Sequence, residues 1–275
     1  MTQSLPKPQS STSQKSERVQ HLWLLLKAEQ DLVHVTELIA LSGTARSFAY
    51  TLPIAGREAV SVQALNNALR RCTANVPVAL HSPHEEFVRL GDRRSKRPPE
   101  LTQTLSRRNM DLTLARRING LGLFEDYVKA LHSGVLPAHS VMSDYTLHTS
   151  CLTDGAAAYV GAILSGEGRM HTWRNTLRNT MDLTAAELQA IHWAFTCIPE
   201  GSRTELHPQS PRLSQLFNEP ESIPEPLRPA LLKVARAVND RQLRYHVAKQ
   251  SQHSLLQRHA RLLAGAQFAD AVRSA

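Results

Sequence analysis

The sequence has few cysteines and no long apolar run. Its three cysteines, Cys72, Cys151 and Cys197, lack the short spacings of structural zinc sites, and their odd number argues against a complete disulfide framework. We expect buried free thiols in a reducing compartment. No apolar run has the length of a membrane span, and residues 1–18 lack the apolar core of a signal peptide. The sequence therefore predicts a cytoplasmic protein without a membrane partner.

Charge and length define the broad class. A chain of 275 residues with 41% hydrophobic content can form one large or two modest domains with a proper core. Its net charge of +8 favours an anionic partner, most simply nucleic acid, over the alternative that a basic surface only maintains solubility. Residues 1–135 contain 18 Lys and Arg against 12 Asp and Glu, so most of the excess charge lies in this part.

The second half has a clear order of predicted elements. Residues 147–164 predict a β-hairpin with Asp154-Gly155 at the turn, and residues 169–174 predict a third strand. Residues 184–195 have helical spacing, with Thr184 as the expected N-cap. The later expected elements are a strand at 203–207, helices at 211–217 and 226–238, a strand at 242–248 and a helix at 254–272.

Three short motifs occur within this order. They are Ser150-Cys151-Leu152 on the first strand, Gly161-Ala162-Ile163-Leu164 on the return strand, and Glu187-Leu188 in the helix. In residue type, spacing and order this half resembles the ribonuclease H family. The resemblance implies a five-stranded mixed sheet flanked by helices. It also implies an origin in enzymes that cleave the RNA strand of a hybrid with two divalent metals held by clustered carboxylates.

The positions that the resemblance assigns to metal-binding carboxylates are mostly not acidic. They fall on His148, Glu187, Gln209 and Arg261. Mg²⁺ requires hard, anionic oxygen ligands, so one carboxylate beside a cation predicts a site that is inactive in two-metal hydrolysis and holds no cofactor. A transition-metal site formed by His148, His207 and Glu187 is the alternative, but ordinary core or surface histidines are favoured because no short metal-binding spacing is present.

The first half repeats the succession of elements. We expect a disordered tail at residues 1–16 and a helix at 16–30. Strands at 32–41, 45–52, 76–81 and 111–118 then alternate with helices at 61–71, 83–90, 99–108 and 124–132. The pattern predicts two ribonuclease H-like α/β domains, at 17–136 and 143–275, of which the first has a lost or reduced third strand around 54–59. One larger α/β domain is the alternative.

In an alignment of the two predicted halves, the first half also lacks the carboxylates at these positions. The position of His148 maps to Thr36 and that of Glu187 to Ser61. Gln209 maps to Pro83, and Arg261 maps to Lys129. Glu37 is adjacent to Thr36 but on a strand would point to the opposite face. Neither half is therefore expected to bind catalytic metals.

Clusters of basic residues are the candidate nucleic-acid contacts. Phosphate contacts require cations, and Trp173 adds a ring on which an unpaired base can stack. The solvated-face interpretation is the alternative for each cation. The candidates are Arg93, Arg94, Lys96, Arg97, Arg107, Arg108, Arg116, Arg117, Arg169, Trp173, Arg174, Arg178, Lys249, Arg258 and Arg261.

The function predicted from these features is non-catalytic binding of DNA, RNA or a hybrid. The resemblance suggests a role in DNA repair, replication or genome maintenance, and a nucleoid association in a bacterial cell. The main alternative is a structural or protein–protein interaction scaffold, including a homo-oligomer, docked through the acidic residues 218–225. A residual metal-dependent nuclease with Glu187 as its lone acid is the third and least favoured alternative.

Overall fold

The computed structural model describes residues 19–54, 56–115, 122–134, 143–178, 182–218, 224–248 and 255–274. Its strands are β1 (Gln20–Glu29), β2 (Leu32–Leu41), β3 (Thr44–Pro53), β4 (Val78–His81), β5 (Leu112–Leu114), β6 (Tyr145–Thr153), β7 (Ala157–Gly166), β8 (Arg169–Arg178), β9 (Arg203–His207) and β10 (Arg244–Val247). They form one mixed sheet in the order β10-β9-β6-β7-β8-β3-β2-β1-β4-β5.

Helices cover both faces of this sheet. They are α1 (Arg57–Arg71), α2 (Glu85–Gly91), α3 (Pro99–Arg107), α4 (Gly122–His132), α5 (Leu183–Cys197), α6 (Pro211–Asn218), α7 (Arg228–Asp240) and α8 (Leu255–Ser274). A 3₁₀ turn at Glu225–Leu227 precedes α7. The mixed α/β class predicted from the sequence is confirmed. No helix in the described ranges is both long and apolar enough to cross a membrane.

The two halves of the sheet, β1–β5 and β6–β10, have the same strand order and directions. In each, three antiparallel strands are followed by a fourth strand parallel to the first and a fifth parallel to the fourth. A constant shift along the chain carries Gln20 to Tyr145 and Pro53 to Arg178 without insertion or deletion. Equivalent residues can therefore be assigned strand by strand.

Turn geometry follows the same equivalence. Residues with positive φ recur at matching positions, although their side chains differ. The matched pairs are Gln30 and Gly155, Ser42 and Glu167, Gly43 and Gly168, Asn75 and Gly201, and Asn109 and Gln242. A positive φ is uncommon for residues other than glycine, so five matches mean that the halves share backbone geometry rather than composition.

The halves join edge to edge through β3 and β8. Ala45 lies opposite Met170 in this antiparallel pair, and these two residues are equivalent in the two halves. A local twofold axis therefore passes between them. Helices α4 and α8 pack on one face over a shared core that includes Ala45 and Met170. The other helices pack on the opposite face over two separate cores, one in each half.

The first strand was not expected. The predicted helix at residues 16–30 is wrong, because residues 20–29 of it form β1. Leu22 and Leu24 enter one core while Trp23 and Leu25 enter the other, so a strand buried on both faces produces a continuous apolar run. The expected loss of a third strand is also wrong, since β3 is full length. The predicted tail at 1–16 lies outside the described residues.

Candidate functional site

Glu187 is the remaining carboxylate at the positions singled out by the sequence, and it is buried. Only 1% of its surface is exposed. Its Oε1 accepts hydrogen bonds from the Thr149 hydroxyl and the Gln209 backbone N–H, both at 2.5 Å. Its Oε2 accepts one from the Ser210 backbone N–H at 3.1 Å. The carboxylate therefore ties α5 to β6 and to the end of β9.

The protonation of Glu187 reflects two opposing effects. Burial raises the pKa of its carboxyl group above the usual range, because removal from water disfavours the charged form. The three hydrogen bonds lower the pKa and offset this only in part. Both oxygens of the Glu187 carboxylate therefore already accept hydrogen bonds from the chain, and these bonds join neighbouring elements of the fold.

The Gln209 side chain also accepts hydrogen bonds from β6. Its Oε1 accepts hydrogen bonds from the Ser150 hydroxyl at 2.5 Å and from the Cys151 backbone N–H at 3.0 Å. A neutral amide thus occupies the position where the resemblance places a metal-binding carboxylate, and it joins the end of β9 to β6.

His148 lies on the face of β6 that is covered by α8. Its ring stacks on that of His207, with centroids 4.3 Å apart and planes 11° apart. Its Nδ1 contacts Gln257 Oε1 at 3.3 Å, and Gln257 Nε2 donates to the Thr149 carbonyl oxygen at 2.8 Å. Burial, assisted by His207, lowers the pKa of His148 to about 3. The imidazole is therefore neutral and, since an amide oxygen only accepts, carries its proton on Nδ1.

The surroundings of Arg261, which the sequence assigns to the fourth carboxylate position, differ from those expected of a residue beside His148. Arg261 is exposed, one helical turn beyond Gln257, and the α8 residue whose side chain meets His148 is Gln257. Gln257 is buried in the first turn of α8, beside the sheet. A buried polar residue in the first turn of the expected last helix was the available signal.

The three candidate transition-metal ligands do not converge. Glu187 contacts Thr149 on one face of β6, whereas His148 points to the other, and His207 pairs with Glu205 at 3.2 Å. Across the described ranges, no group of three His, Cys, Asp or Glu side chains is arranged to hold a metal ion.

The equivalent site in the first half contains Trp23 where the second half has His148. Trp23 stacks on His81, with centroids 4.3 Å apart and planes 12° apart. The mapping of His148 to Thr36 is wrong because β1 was missed, and Thr36 instead bonds His132 through its hydroxyl at 2.9 Å. His84 Nε2 accepts the Leu26 backbone N–H at 2.9 Å, as Gln209 accepts that of Cys151.

The Glu37 carboxylate also bonds to neighbouring side chains. It is fully buried and forms an ion pair with Arg71 at 2.5 Å, and Tyr50 donates a hydrogen bond to it. Burial raises the pKa of its carboxyl group although Arg71 and Tyr50 oppose the shift. The Arg71 guanidinium also lies 4.8 Å from the Phe48 ring centroid.

Several predicted nucleic-acid contacts have structural partners. Arg97 donates to the carbonyl oxygens of Leu90 and Leu112, and Arg108 donates to that of Cys72. Both are half-buried. Three other cations pair with acids, namely Arg93 with Asp111, Arg174 with Asp270 and Arg258 with Asp126.

The remaining predicted cations are exposed or lie outside the described residues. Those that form no ion pair within the described ranges are Arg94, Lys96, Arg107, Arg169, Arg178 and Arg261. Those outside the described residues are Arg116, Arg117 and Lys249. Cys197 is exposed, contrary to the expectation that every cysteine is buried.

The expected surface of Arg169, Trp173, Arg174 and Arg178 is divided. Successive side chains of a strand point to opposite faces. Arg174 pairs with Asp270 on α8, whereas Trp173 packs against the core beneath α5. Arg169 therefore shares a face with Trp173, and Arg178 shares the other face with Arg174. These four residues do not form one surface.

A different surface spans the junction of the halves. We call it the central face, and it comprises Arg46, Phe48 and Tyr50 on β3 with Arg169, His171 and Trp173 on β8. It faces away from α4 and α8, between α1 and α5. Arg46 lies directly opposite Arg169, and the rings of His171 and Trp173 stack with centroids 5.9 Å apart. Neither Arg46 nor Arg169 pairs with an acid in the described part of the chain.

Comparisons with known proteins found distant similarities. No protein-family model and no curated protein matches the chain. Ribonuclease H1 from Halobacterium salinarum NRC-1 is 15% identical, with 46% of this chain and 96% of that chain covered and a TM-score of 0.39. LC11-RNase H1 from compost, solved with an RNA/DNA hybrid, is 15% identical, with 46% and 99% covered and a TM-score of 0.39. The foamy viral protease-reverse transcriptase, also solved with an RNA/DNA hybrid, is 13% identical, with 91% of this chain and 38% of that chain covered and a TM-score of 0.35.

Proposed function

We propose that this chain is a non-catalytic nucleic-acid-binding protein built from two ribonuclease H-like units. The repeated strand order, the constant shift from β1–β3 to β6–β8 and the matched positive-φ residues support a duplication. The Ser150-Cys151-Leu152 and Gly161–Leu164 motifs, at the spacing of the resemblance, support the family of the unit. A duplicated unit retains its shape after its chemistry has changed.

The non-catalytic part of the proposal is supported by the side chains around Glu187 and His148. Two-metal hydrolysis requires carboxylates that bind both ions and leave coordination positions open. His148, Gln209 and Gln257 are neutral and hydrogen-bonded to the chain, and Glu187 has three donors of its own. Such a site holds strands and helices together instead of binding ions.

The single observation that carries the nucleic-acid proposal is the cross-strand pair Arg46–Arg169. Like charges directly opposite each other in a sheet are destabilising, and an anion over them would offset the repulsion, while Arg46 also donates to the Arg71 carbonyl oxygen at 3.1 Å. Phosphate groups supply such anions, and the half-buried rings of His171 and Trp173 on the same face offer a partly exposed surface to an unpaired base, whereas Arg71 already covers Phe48 and Tyr50. The central face is therefore suited to a single-stranded segment.

A fluorescence-anisotropy panel with labelled single-stranded DNA, duplex DNA, RNA and hybrid, at two salt concentrations, tests the proposal. Each phosphate contact contributes about 0.7–0.9 to the logarithmic salt slope, so the Arg46→Glu/Arg169→Glu double variant should bind about tenfold or more weakly with a reduced slope. The matched control is Arg107→Glu/Arg178→Glu, which makes the same charge change away from the central face. Equal loss in both double variants would contradict a localised site.

The loop at residues 93–97, which contains four cations, is tested in the same panel. Arg94→Glu/Lys96→Glu changes two exposed cations without touching the structural Arg97. Unchanged affinity would remove this loop from the interface. A role in DNA repair, replication or genome maintenance requires DNA to be the preferred ligand of the panel.

A scaffold function is the second candidate, and exposed apolar side chains on α8 favour it. Leu262 and Val272 are 59% and 58% exposed. Exposed apolar surface of this kind marks association sites when it is contiguous. Light scattering coupled to size exclusion, across salt concentrations and with Leu262→Glu, distinguishes a self-associating scaffold from a monomeric binder.

A further inference from the structure

An open pocket lies in the first half beside Gly56 and Ser61, the positions equivalent to Asp182 and Glu187 of the second half. It has a volume of about 290 Å³, near the lower limit for small-molecule sites. Its walls are mainly apolar and come from Leu26, Ala28, Val33, Ile54 and Val60. Gly56 and Ser61 at the start of α1, and His84 and Glu86 beside α2, complete the lining.

The two polar positions next to α1 differ sharply between the halves. In the second half, Asp182 caps α5 by accepting the backbone N–H groups of Thr184 and Ala185, and Glu187 follows with its three donors. The equivalent residues in the first half are Gly56 and Ser61. Both carboxylates are therefore replaced by residues that cannot supply one.

This replacement leaves hydrogen-bond donors at the pocket. The first-turn N–H groups of a helix have no partner within the helix, and α1 has no side-chain cap. The Ser61 hydroxyl is buried, with only 1% of the residue exposed, and forms no hydrogen bond with the residues that the structure describes. A buried hydroxyl without a partner is costly, and an acceptor such as a water molecule or a ligand oxygen would remove that cost.

We infer that this pocket binds a small apolar carboxylic acid. Its carboxylate accepts from the N–H groups at the start of α1 and from the Ser61 hydroxyl, beside the two positions where the second half has Asp182 and Glu187. The positive end of the α1 dipole favours a negative group there. Its hydrocarbon part packs against Leu26, Val33 and Val60. Glu86 at the pocket opposes the negative charge and so limits affinity.

Matched probes of one chain length test the class of ligand. Hexanoate, hexanamide and hexylamine are titrated into the full ¹⁵N-labelled chain, and the backbone amides of Glu58, Ala59 and Val60 are followed. Hexanoate should shift these resonances saturably and bind at least fivefold more tightly than hexanamide, and hexylamine should not bind. Equal or tighter binding of the amide or the amine, or binding of none of the three, overturns the inference.

Three variants locate the site. Ala28→Trp should abolish binding, because Ala28 is exposed and a large side chain there closes the pocket without disturbing the core. Ala49→Trp, on the opposite face of β3, is the matched control and should bind normally. Ser61→Ala should weaken binding at least threefold while the thermal midpoint is equal or higher, since the hydroxyl has no partner to lose.

The Glu86→Gln variant tests whether the group bound in the pocket is negatively charged. Removing its negative charge should strengthen hexanoate binding severalfold and leave hexanamide binding unchanged. Strengthening of both probes, or of neither, contradicts a carboxylate at this position. These measurements do not depend on nucleic-acid binding, so failure of one proposal leaves the other testable.

Discussion

Arg108 and Arg241 occupy equivalent positions and make the same contact in the two halves. Arg108 donates to the carbonyl oxygen of Cys72 at 2.5 Å, and Arg241 donates to that of Ile198 at 2.8 Å. Cys72 and Ile198 are the residues that end α1 and α5. A guanidinium group at a helix C-terminus satisfies a carbonyl and interacts favourably with the dipole. The shared contact explains why Arg108 is half-buried rather than free for phosphate.

Replacing either arginine should destabilise the chain. Arg108→Ala and Arg241→Ala each remove a hydrogen bond from a charged donor to a helix end, which is worth about 1.5–3 kcal/mol. Urea unfolding followed by circular dichroism measures the loss. Arg107→Ala is the control, and as an exposed change it should stay within about 0.5 kcal/mol of the unchanged protein. If Arg108→Ala instead reduced nucleic-acid affinity at unchanged stability, the contact would be functional and not structural.

Stability should fall with pH below about 6.5, in part because of His148. Its pKa is about 3 in the folded chain against 6.5 for an ordinary histidine, so the unfolded chain binds the additional proton between these values. Stability contributed by the neutral ring is therefore present above pH 6.5 and is lost as pH falls towards 3. One proton corresponds to about 1.4 kcal/mol per pH unit.

The His148→Phe variant isolates this contribution. It keeps a ring against His207 but cannot take up a proton, so the slope of unfolding free energy between pH 6 and 4 should decrease by about 1.4 kcal/mol per pH unit. His34→Phe, which changes a largely exposed histidine, is the control. Equal slopes in the unchanged protein and His148→Phe would mean that His148 is protonated in the folded state.

Gly161 and Gly265 should respond to alanine with opposite signs. Gly161 lies on β7 under α8, where a Cβ would be 2.2 Å from the Ala260 carbonyl oxygen and 2.6 Å from the Ala264 nitrogen. Gly265 lies on α8, and its nearest neighbour to an added Cβ is Leu152 at 4.0 Å. Gly161→Ala should cost about 1–3 kcal/mol or more by forcing the helix from the sheet. Gly265→Ala should add about 0.5–1 kcal/mol through helix propensity.

Thermal unfolding of the two glycine variants and their combination measures these changes. A neutral Gly161→Ala would show that α8 is not held against β7 as described. Because the two sites are neighbours, the double variant also reports how far α8 can shift to relieve the contact.

The sequence predicted most elements of the second half because their signals are local. The strand Arg203–His207, in which Thr204 and Leu206 are buried between more exposed neighbours, was placed with its correct bounds. The first half was misaligned because its leading strand, the apolar run after Gln20, has no alternation when both faces are buried. That one missed strand moved the position equivalent to His148 from Trp23 to Thr36.

Strands and short turns fix the positions of the residues around Glu187 and His148 more directly than a helix does. His148 and Gln209 follow from the register of β6 and β9. The contact of Gln257 instead depends on the rotation of α8 about its axis, which the packing of α8 on Gly161 restricts. The pocket beside Ser61 was not predicted from the sequence either. It depends on Gly56 and Ser61, which have no carboxylate where the other half has Asp182 and Glu187.

Metal-dependent hydrolysis should be absent. Glu187 engages three donors, and the assigned positions His148, Gln209 and Arg261 carry no carboxylate, so two metal ions would lack anionic ligands. We expect cleavage of hybrid, single-stranded and duplex substrates with Mg²⁺ or Mn²⁺ to be equal in the unchanged protein and in Glu187→Gln. Thr149→Val, which removes one donor to Glu187 and leaves its carboxylate, is the control for altered stability. Cleavage that requires metal, persists in Thr149→Val and is lost in Glu187→Gln would show that Glu187 is a catalytic residue, and the proposal of a non-catalytic protein would then be wrong.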